Sequence, residues 1–277
     1  MKTLYQDYRK FEKIAKKFNR KSSTLDTSSE YFLAPTTLIP LTCFARTNDV
    51  ESIISHPYTI DYVKRILYGE ETGTNTKLTV LPKTNEQRVY NETAMTMAEM
   101  INHQTYGGLQ TVYHICNELI SNIYDHTPIG EGLSTYGYTY SQEYPTPRKL
   151  DICVLDDGLS IPGRFERNGF NFGNDCEAIY QAVNGFTTAK DKHVQSRGLG
   201  LRSTINLVVE GNEGSVLLVS RNGCLHIKSK DNYKYYDLDN NNIFKGTLVS
   251  VRLNDYQVQN FHDLIISSEE ENYIYNK

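Results

Sequence analysis

Apolar residues recur along this chain with two periods, and their order predicts its elements. Leu4, Tyr8, Phe11, Ala15 and Phe18 follow a 4,3,4,3 spacing that lines one side of a helix over residues 4–19. Tyr31 to Leu41 is apolar but contains Pro35 and Pro40, so extended structure is expected there. Asp49 is placed to cap a helix running toward His56-Pro57, with a helical piece from Ile60 to Tyr68 and a strand from Lys77 to Leu81 after it. Residues 85–102 return to the helical period, and Gly107-Gly108 ends it.

Beyond Gly108 a long helix precedes strands at Leu133–Tyr140 and Lys149–Leu155, the second running into Asp156-Asp157-Gly158. A glycine-rich irregular region, a helix near Asp175–Val183, a loop to Arg197 and a helix over Gly200–Val209 follow. Strand-like segments at Ser215–Ser220, Leu225–Ser229 and Thr247–Leu253 complete the pattern. Helices grouped with hairpin-connected strands predict an α/β protein: a two-layer sandwich of mixed sheet and helices, with one sheet face covered and the other more exposed. Three regions are expected: an N-terminal α+β region over 1–105 for partner binding or dimerisation, a core domain over 106–256, and an acidic tail over 257–277.

Composition narrows the class. With 277 residues, 39% hydrophobic and 22% charged, the chain lies in the range that folds around a core. A net charge of -4 indicates no nucleic-acid partner. Charge is uneven, however: from Lys2 to Lys21 eight Lys or Arg stand against two acids. That segment reads either as a docking helix for an acidic partner or membrane surface, or as a solvated helix whose stripe packs on its own domain; the second is the commoner situation. Cys43, Cys116, Cys153, Cys176 and Cys224 form no C-x-x-C pair, which points to neither a zinc site nor a disulfide framework. No apolar leader follows Met1 and no run approaches the roughly 20 apolar residues of a membrane span, so a cytoplasmic protein is expected.

Candidate chemistry concentrates in three segments. In Leu109–His126, Val112, Cys116, Leu119 and Ile123 form a core-facing stripe, while Glu118, Asn122 and Asp125 stand at i, i+4 and i+7 on another face. An ordinary amphipathic helix would look the same. Asp156, ending a buried strand before a Gly turn, offers a carboxylate at a pocket rim to an exocyclic amine, although Asp-Asp-Gly is also a common turn. Ser196-Arg197-Gly198-Leu199-Gly200-Leu201 precedes an apolar helix, where free backbone N–H groups suit a phosphate chain.

In order, Glu118-x-x-x-Asn122 with Asp125-His126, Asp156-x-Gly158, Gly198-x-Gly200-Leu201 and Gly246-Thr247 resemble the four boxes of the GHKL ATPase superfamily, of the stand-alone histidine kinase-like type. The resemblance covers about Gly107 to Leu253 and implies a Bergerat fold binding ATP and Mg²⁺. It makes Glu118 the general base that polarises water, Asn122 the Mg²⁺ ligand, Asp156 the acceptor of the adenine amine with Gly158 beside it, and Thr247 a neighbour of the adenine. Gly198, Leu199, Gly200 and Leu201 would then line the phosphates, with Ile161 and Asp125 also at the nucleotide. Lys190, Lys192 and Arg197 would meet the triphosphate from a lid over Gly163–Arg197, unless that loop is simply solvated. The chain departs from the D-x-G-x-G pattern at Ser160, which replaces the second glycine and is accommodated if its backbone stays at negative φ. His114, one turn before Glu118, is not expected to accept phosphate, because the resemblance puts acceptors on a separate helical hairpin.

Three functions follow as expectations. The first is an Mg-ATP hydrolysing conformational switch acting on a protein partner or a homodimer. The second is a histidine or serine protein kinase with an external acceptor, and the third is an ATP-gated binding module without turnover.

Overall fold

The computed structural model describes residues 1–62, 79–81, 87–100, 105–126, 137–184, 200–238 and 244–267. Helices are α1 (Leu4–Ala15), α2 (Pro35–Thr47), α3 (Gln87–Met100), α4 (Leu109–His126), α5 (Ser160–Arg167), α6 (Asp175–Val183) and α7 (Gly200–Asn206), the last continuing as a π-turn over Leu207–Gly211. Strands are β1 (Thr24–Thr27), β2 (Ser52–Ser55), β3 (Thr79–Leu81), β4 (Gly137–Tyr144), β5 (Lys149–Asp156), β6 (Ser215–Ser220), β7 (Gly223–Ser229), β8 (Asn232–Asp237) and β9 (Thr247–Asn254). Seven of them form one sheet in the order β3-β4-β5-β9-β6-β7-β8, and β1 pairs with β2 in a small parallel sheet.

Every pairing in the large sheet is antiparallel, which corrects the expected mixed sheet. The β4-β5, β6-β7 and β7-β8 connections are short hairpins, and a hairpin enforces antiparallel pairing. Side chains alternate cleanly between two cores. Leu150, Ile152, Val154, Val216, Leu218, Val249 and Val251 face α3, α4, α6 and α7, whereas Tyr138, Tyr140, Cys153, Leu155, Leu217, Val219 and Leu248 face α1 and α2. The second sheet face is therefore covered, giving three layers where two were expected.

That covering layer comes from the first fifty residues. In α1 the predicted stripe is buried through Leu4, Tyr8, Phe11 and Ala15, joined by Ile14, and Thr3 closes a capping box with Gln6. The helix stops at Ala15, four residues earlier than its apolar spacing suggests. Residues 35–47 are helical, a correction to the extended reading. Pro35 sits at the first helical position, where it has no N–H to lose, and every residue from Pro35 to Ala45 is buried. Burial on all sides outweighs the bond lost at Pro40. The polar atoms on this helix are matched: Thr36 Oγ1 lies 2.7 Å from Ser250 Oγ, and the Thr37 hydroxyl donates to Asp7 O at 2.8 Å.

Residues 52–55, expected within a helix capped by Asp49, instead form β2, and Asp49 sits in the left-handed region at φ 49. Of the helical piece from Ile60 to Tyr68, residues 60–62 are helical and the rest lies outside the described residues. The same holds for Lys77-Leu78, for 133–136 ahead of β4, and for the tail beyond 267. Strand β8 was not anticipated. Among the described residues no helix is long and apolar enough to cross a membrane.

Candidate functional site

Strand register gathers part of the candidate site. Asp156 on β5 is paired with Thr247 on β9, and Thr247 with Ser220 on β6, so three neighbouring strands end side by side. Counting in twos from Val154, Val249 and Leu218 puts all three side chains on the face that carries α4 and α7. Asp156 is buried, and its Oδ1 accepts the Gly158 N–H at 2.8 Å. Gly246 runs so close to the Asp156 and Asp157 backbone that a Cβ there would overlap the Asp156 carbonyl. Burial pushes the Asp156 carboxyl up to about 7, against the lowering effect of the Gly158 and Thr247 N–H groups.

Ser220 belongs to this cluster although nothing in the sequence marked it. Its fully buried hydroxyl accepts the Ile161 N–H at 2.8 Å, lies 3.0 Å from Thr247 Oγ1 and donates to Gly246 O at 3.4 Å. One hydroxyl thus ties the start of α5 to β9. The available signal was parity within β6, which means nothing until the β6-β9 register is known.

Ser160, the first residue of α5, has φ 68. It keeps the left-handed backbone that a glycine would supply, so the expected negative φ is corrected. Its hydroxyl compensates locally by accepting the Gly163 N–H at 3.2 Å. A non-glycine residue in this conformation costs about 1–2 kcal/mol, and losing such a cap to glycine only a few tenths. Ser160→Gly is therefore expected to stabilise the fold by about 1 kcal/mol, read as a raised urea midpoint; a lowered midpoint would show that the hydroxyl matters more than the strain.

A second group forms between α4 and α7. His114 Nε2 lies 2.9 Å from Ser203 Oγ, and one turn further along α4 the Glu118 carboxylate occupies the space where a Cβ on Gly200 would stand. Moving forward on α4 means moving backward on α7, so the two helices run antiparallel here. Burial drops the His114 imidazole to about 4, which leaves it neutral. Leu201 packs on the same core as Ile161. Asn122 is half-buried, one turn beyond Glu118 on the same side of α4.

Both helical segments are anchored, at their ends remote from this second group, just past the end of β9 opposite Thr247. Helix α4 opens near the far edge of the sheet, where the Gly107 N–H donates to Tyr256 O at 2.8 Å, just past the end of β9. Its 18 residues span about 27 Å, about the length of β9, and carry Glu118 and Asn122 about 14 and 20 Å along the helix from Leu109. The π-turn after α7 ends at that same far edge, where Asn212 Nδ2 donates to Tyr256 O at 2.8 Å. Gly200 stands at the other end of α7.

Lys190, Lys192, Arg197, Gly198 and Leu199 lie outside the described residues, as does the 185–197 part of the expected lid, and of Asp125 only the helical backbone is described. In the part of the lid that is described, α5 corrects the irregular region after Gly158, while α6 matches the helix expected near Asp175–Val183; Arg221 pins both, donating from Nε to Asp175 Oδ2 at 2.9 Å and from Nη1 to Glu166 Oε2 at 2.8 Å. Among the described residues no three His, Cys, Asp or Glu converge on a metal site. No protein-family model matches the chain, and no curated protein matches it significantly.

Proposed function

We propose that this chain is an Mg-ATP binding and hydrolysing ATPase of the GHKL type, built on a Bergerat fold. The reading rests chiefly on one observation: four segments far apart in sequence meet pairwise, Asp156 with Thr247 and Glu118 with Gly200, and both pairs lie on one face of the sheet. A buried carboxylate with two backbone donors on it suits an exocyclic amine of a base. The residues present also fit a phosphate-bound Mg²⁺. Such an ion is held mainly by phosphates and water with one or two protein oxygens, a role that Asn122 beside Glu118 can fill. When bound, the ion supplies charge neutralisation on the phosphates. Glu118 accepts a proton from water, Gly200 leaves room for its carboxylate, and Ser220 fixes the positions of Thr247 and Ile161. The kinase and the gated module share this site and differ in where the phosphate goes, so radiolabelled ATP separates them: free phosphate, labelled partner, or neither.

Asp156→Asn tests the binding half. Its amide keeps an acceptor for the Gly158 N–H but loses the charge that holds the base, so ADP affinity is expected to fall by roughly ten- to a hundredfold, corresponding to about 1.5–3 kcal/mol for a hydrogen bond to a charged group. The free protein should respond in the opposite sense. The folded carboxyl titrates near 7 and the unfolded one near 3.8, so burying it costs nothing below pH 4, costs progressively more up to pH 7, and is constant above. Asp156→Asn should accordingly raise the Tm of the free protein at pH 8 and leave it unchanged at pH 4. Unchanged ADP affinity by calorimetry would remove Asp156 from the site.

Metal dependence isolates Asn122. Asn122→Ala is expected to weaken ATP binding far more in Mg²⁺ than in EDTA. Equal losses under both conditions would make Asn122 structural.

A further inference from the structure

Strand β8 is one end of the seven-stranded sheet, and among the described residues no strand pairs with its outer edge. Natural sheets blunt such an edge with charge, proline or a bulge, because it is a template for another strand. Here the six residues Asn232-Tyr233-Lys234-Tyr235-Tyr236-Asp237 contain no proline, and the irregularity in their pairing with β7 is confined to the Ile227/Ser229 end. Tyr233 and Tyr235 stand opposite Ile227 and Leu225 on β7, so they carry the apolar surface of the α6 face out to the edge, yet remain 39% and 37% exposed. Tyr180 of α6 extends this surface, 51% exposed with its ring 6.3 Å from that of Tyr235. On the opposite face Tyr236 stacks on Tyr5 of α1 at 4.2 Å, with Lys234 exposed beside it. The edge is thus both aromatic and held from two sides.

We propose that β8 pairs antiparallel with β8 of a second copy of this chain, about a two-fold axis at Tyr235, joining the two sheets into one. A two-fold axis perpendicular to the sheet keeps each face on its own side, so only residues of equal parity meet. Two centres overlap the strand well. Centring on Lys234 sets the two ammonium groups directly opposite each other, which is unfavourable. Centring on Tyr235 sets Tyr235 against its own copy, Lys234 against Tyr236, and Tyr233 against Asp237. Each cation then meets an aromatic face, each carboxylate meets a phenol, and no like charges are opposed. This self-complementarity favours a second copy over a foreign strand, and it holds whether or not the nucleotide reading does.

The test is sedimentation of the full chain without nucleotide, with the mass of two chains expected. Tyr235→Lys places like charges on the axis and should return the mass of one chain with an unchanged circular dichroism spectrum. A second readout does not depend on that variant folding: Tyr235→Cys should be joined to its copy by a short bis-maleimide well above the wild-type background from Cys176, and Lys230→Cys should not. A wild-type mass of one chain up to high concentration overturns the proposal. So does a two-chain species that survives Tyr235→Lys or fails to cross-link at 235, because it must form elsewhere.

Discussion

Arg252→Ala is expected to lower the unfolding free energy by about 3–5 kcal/mol, the usual result of removing one member of a buried ionic cluster. Arg252, on β9, donates from Nε to Asp151 Oδ1 at 2.6 Å and from Nη2 to Asp151 Oδ2 at 2.7 Å, while its Nη1 donates to the carbonyl of Lys2 at 2.6 Å. Asp7 of α1 lies 3.6 Å from Nη2, and the Tyr144 hydroxyl donates to Asp151 Oδ2 at 3.2 Å. One guanidinium thereby joins β5, β9 and α1, and α1 is half of the layer that covers the sheet. Without it Asp151, fully buried, and Asp7, nearly so, lose their shared cation. Burial already pushes the Asp7 carboxyl up and Arg252 holds it down, so the variant should carry both carboxyls raised further. A raised carboxyl loses stability as pH rises above its unfolded value, so the deficit should be larger at pH 8 than at pH 5. Urea unfolding at the two values measures it; a loss under 1 kcal/mol at pH 8 would mean that packing alone fixes α1.

The contrast between α1 and α2 shows what the sequence carried. α1 was legible because its buried face repeats at the helical period and its other faces are charged. α2 was not, since a helix buried on every side has no period to display and its prolines resemble breakers. Strands β5, β6 and β9 announced themselves as apolar runs, but β8 has only tyrosines and charges, and becomes a strand through its pairing with β7. The site divides the same way. Spacing alone put Glu118 and Asn122 on one side of α4. The proximity of Glu118 to Gly200, the alignment of Asp156 with Thr247 and the part played by Ser220 depend on long-range register, which local pattern does not encode.

Glu118→Ala is expected to lower ATP turnover by roughly 10²–10⁴-fold while ATP affinity stays near that of the unaltered chain, the signature of a general base. The side chain lies against Gly200, and the base-binding carboxylate belongs to a different strand, so the two functions separate. A second change probes the same carboxylate without removing it. In Gly200→Ala the new methyl would overlap Glu118 Oε2, the far end of a flexible side chain, so the fold can adapt but the carboxylate must move. Turnover should fall in the same direction as in Glu118→Ala, with the Tm nearly unchanged, and combining the two changes should add little to the effect of Glu118→Ala. Additive losses would mean that Gly200 acts on the phosphates rather than through Glu118. Phosphate release from the unaltered chain no faster than from Glu118→Ala over hours would overturn the ATPase, and labelling of an added partner would then decide between a kinase and a nucleotide-gated module.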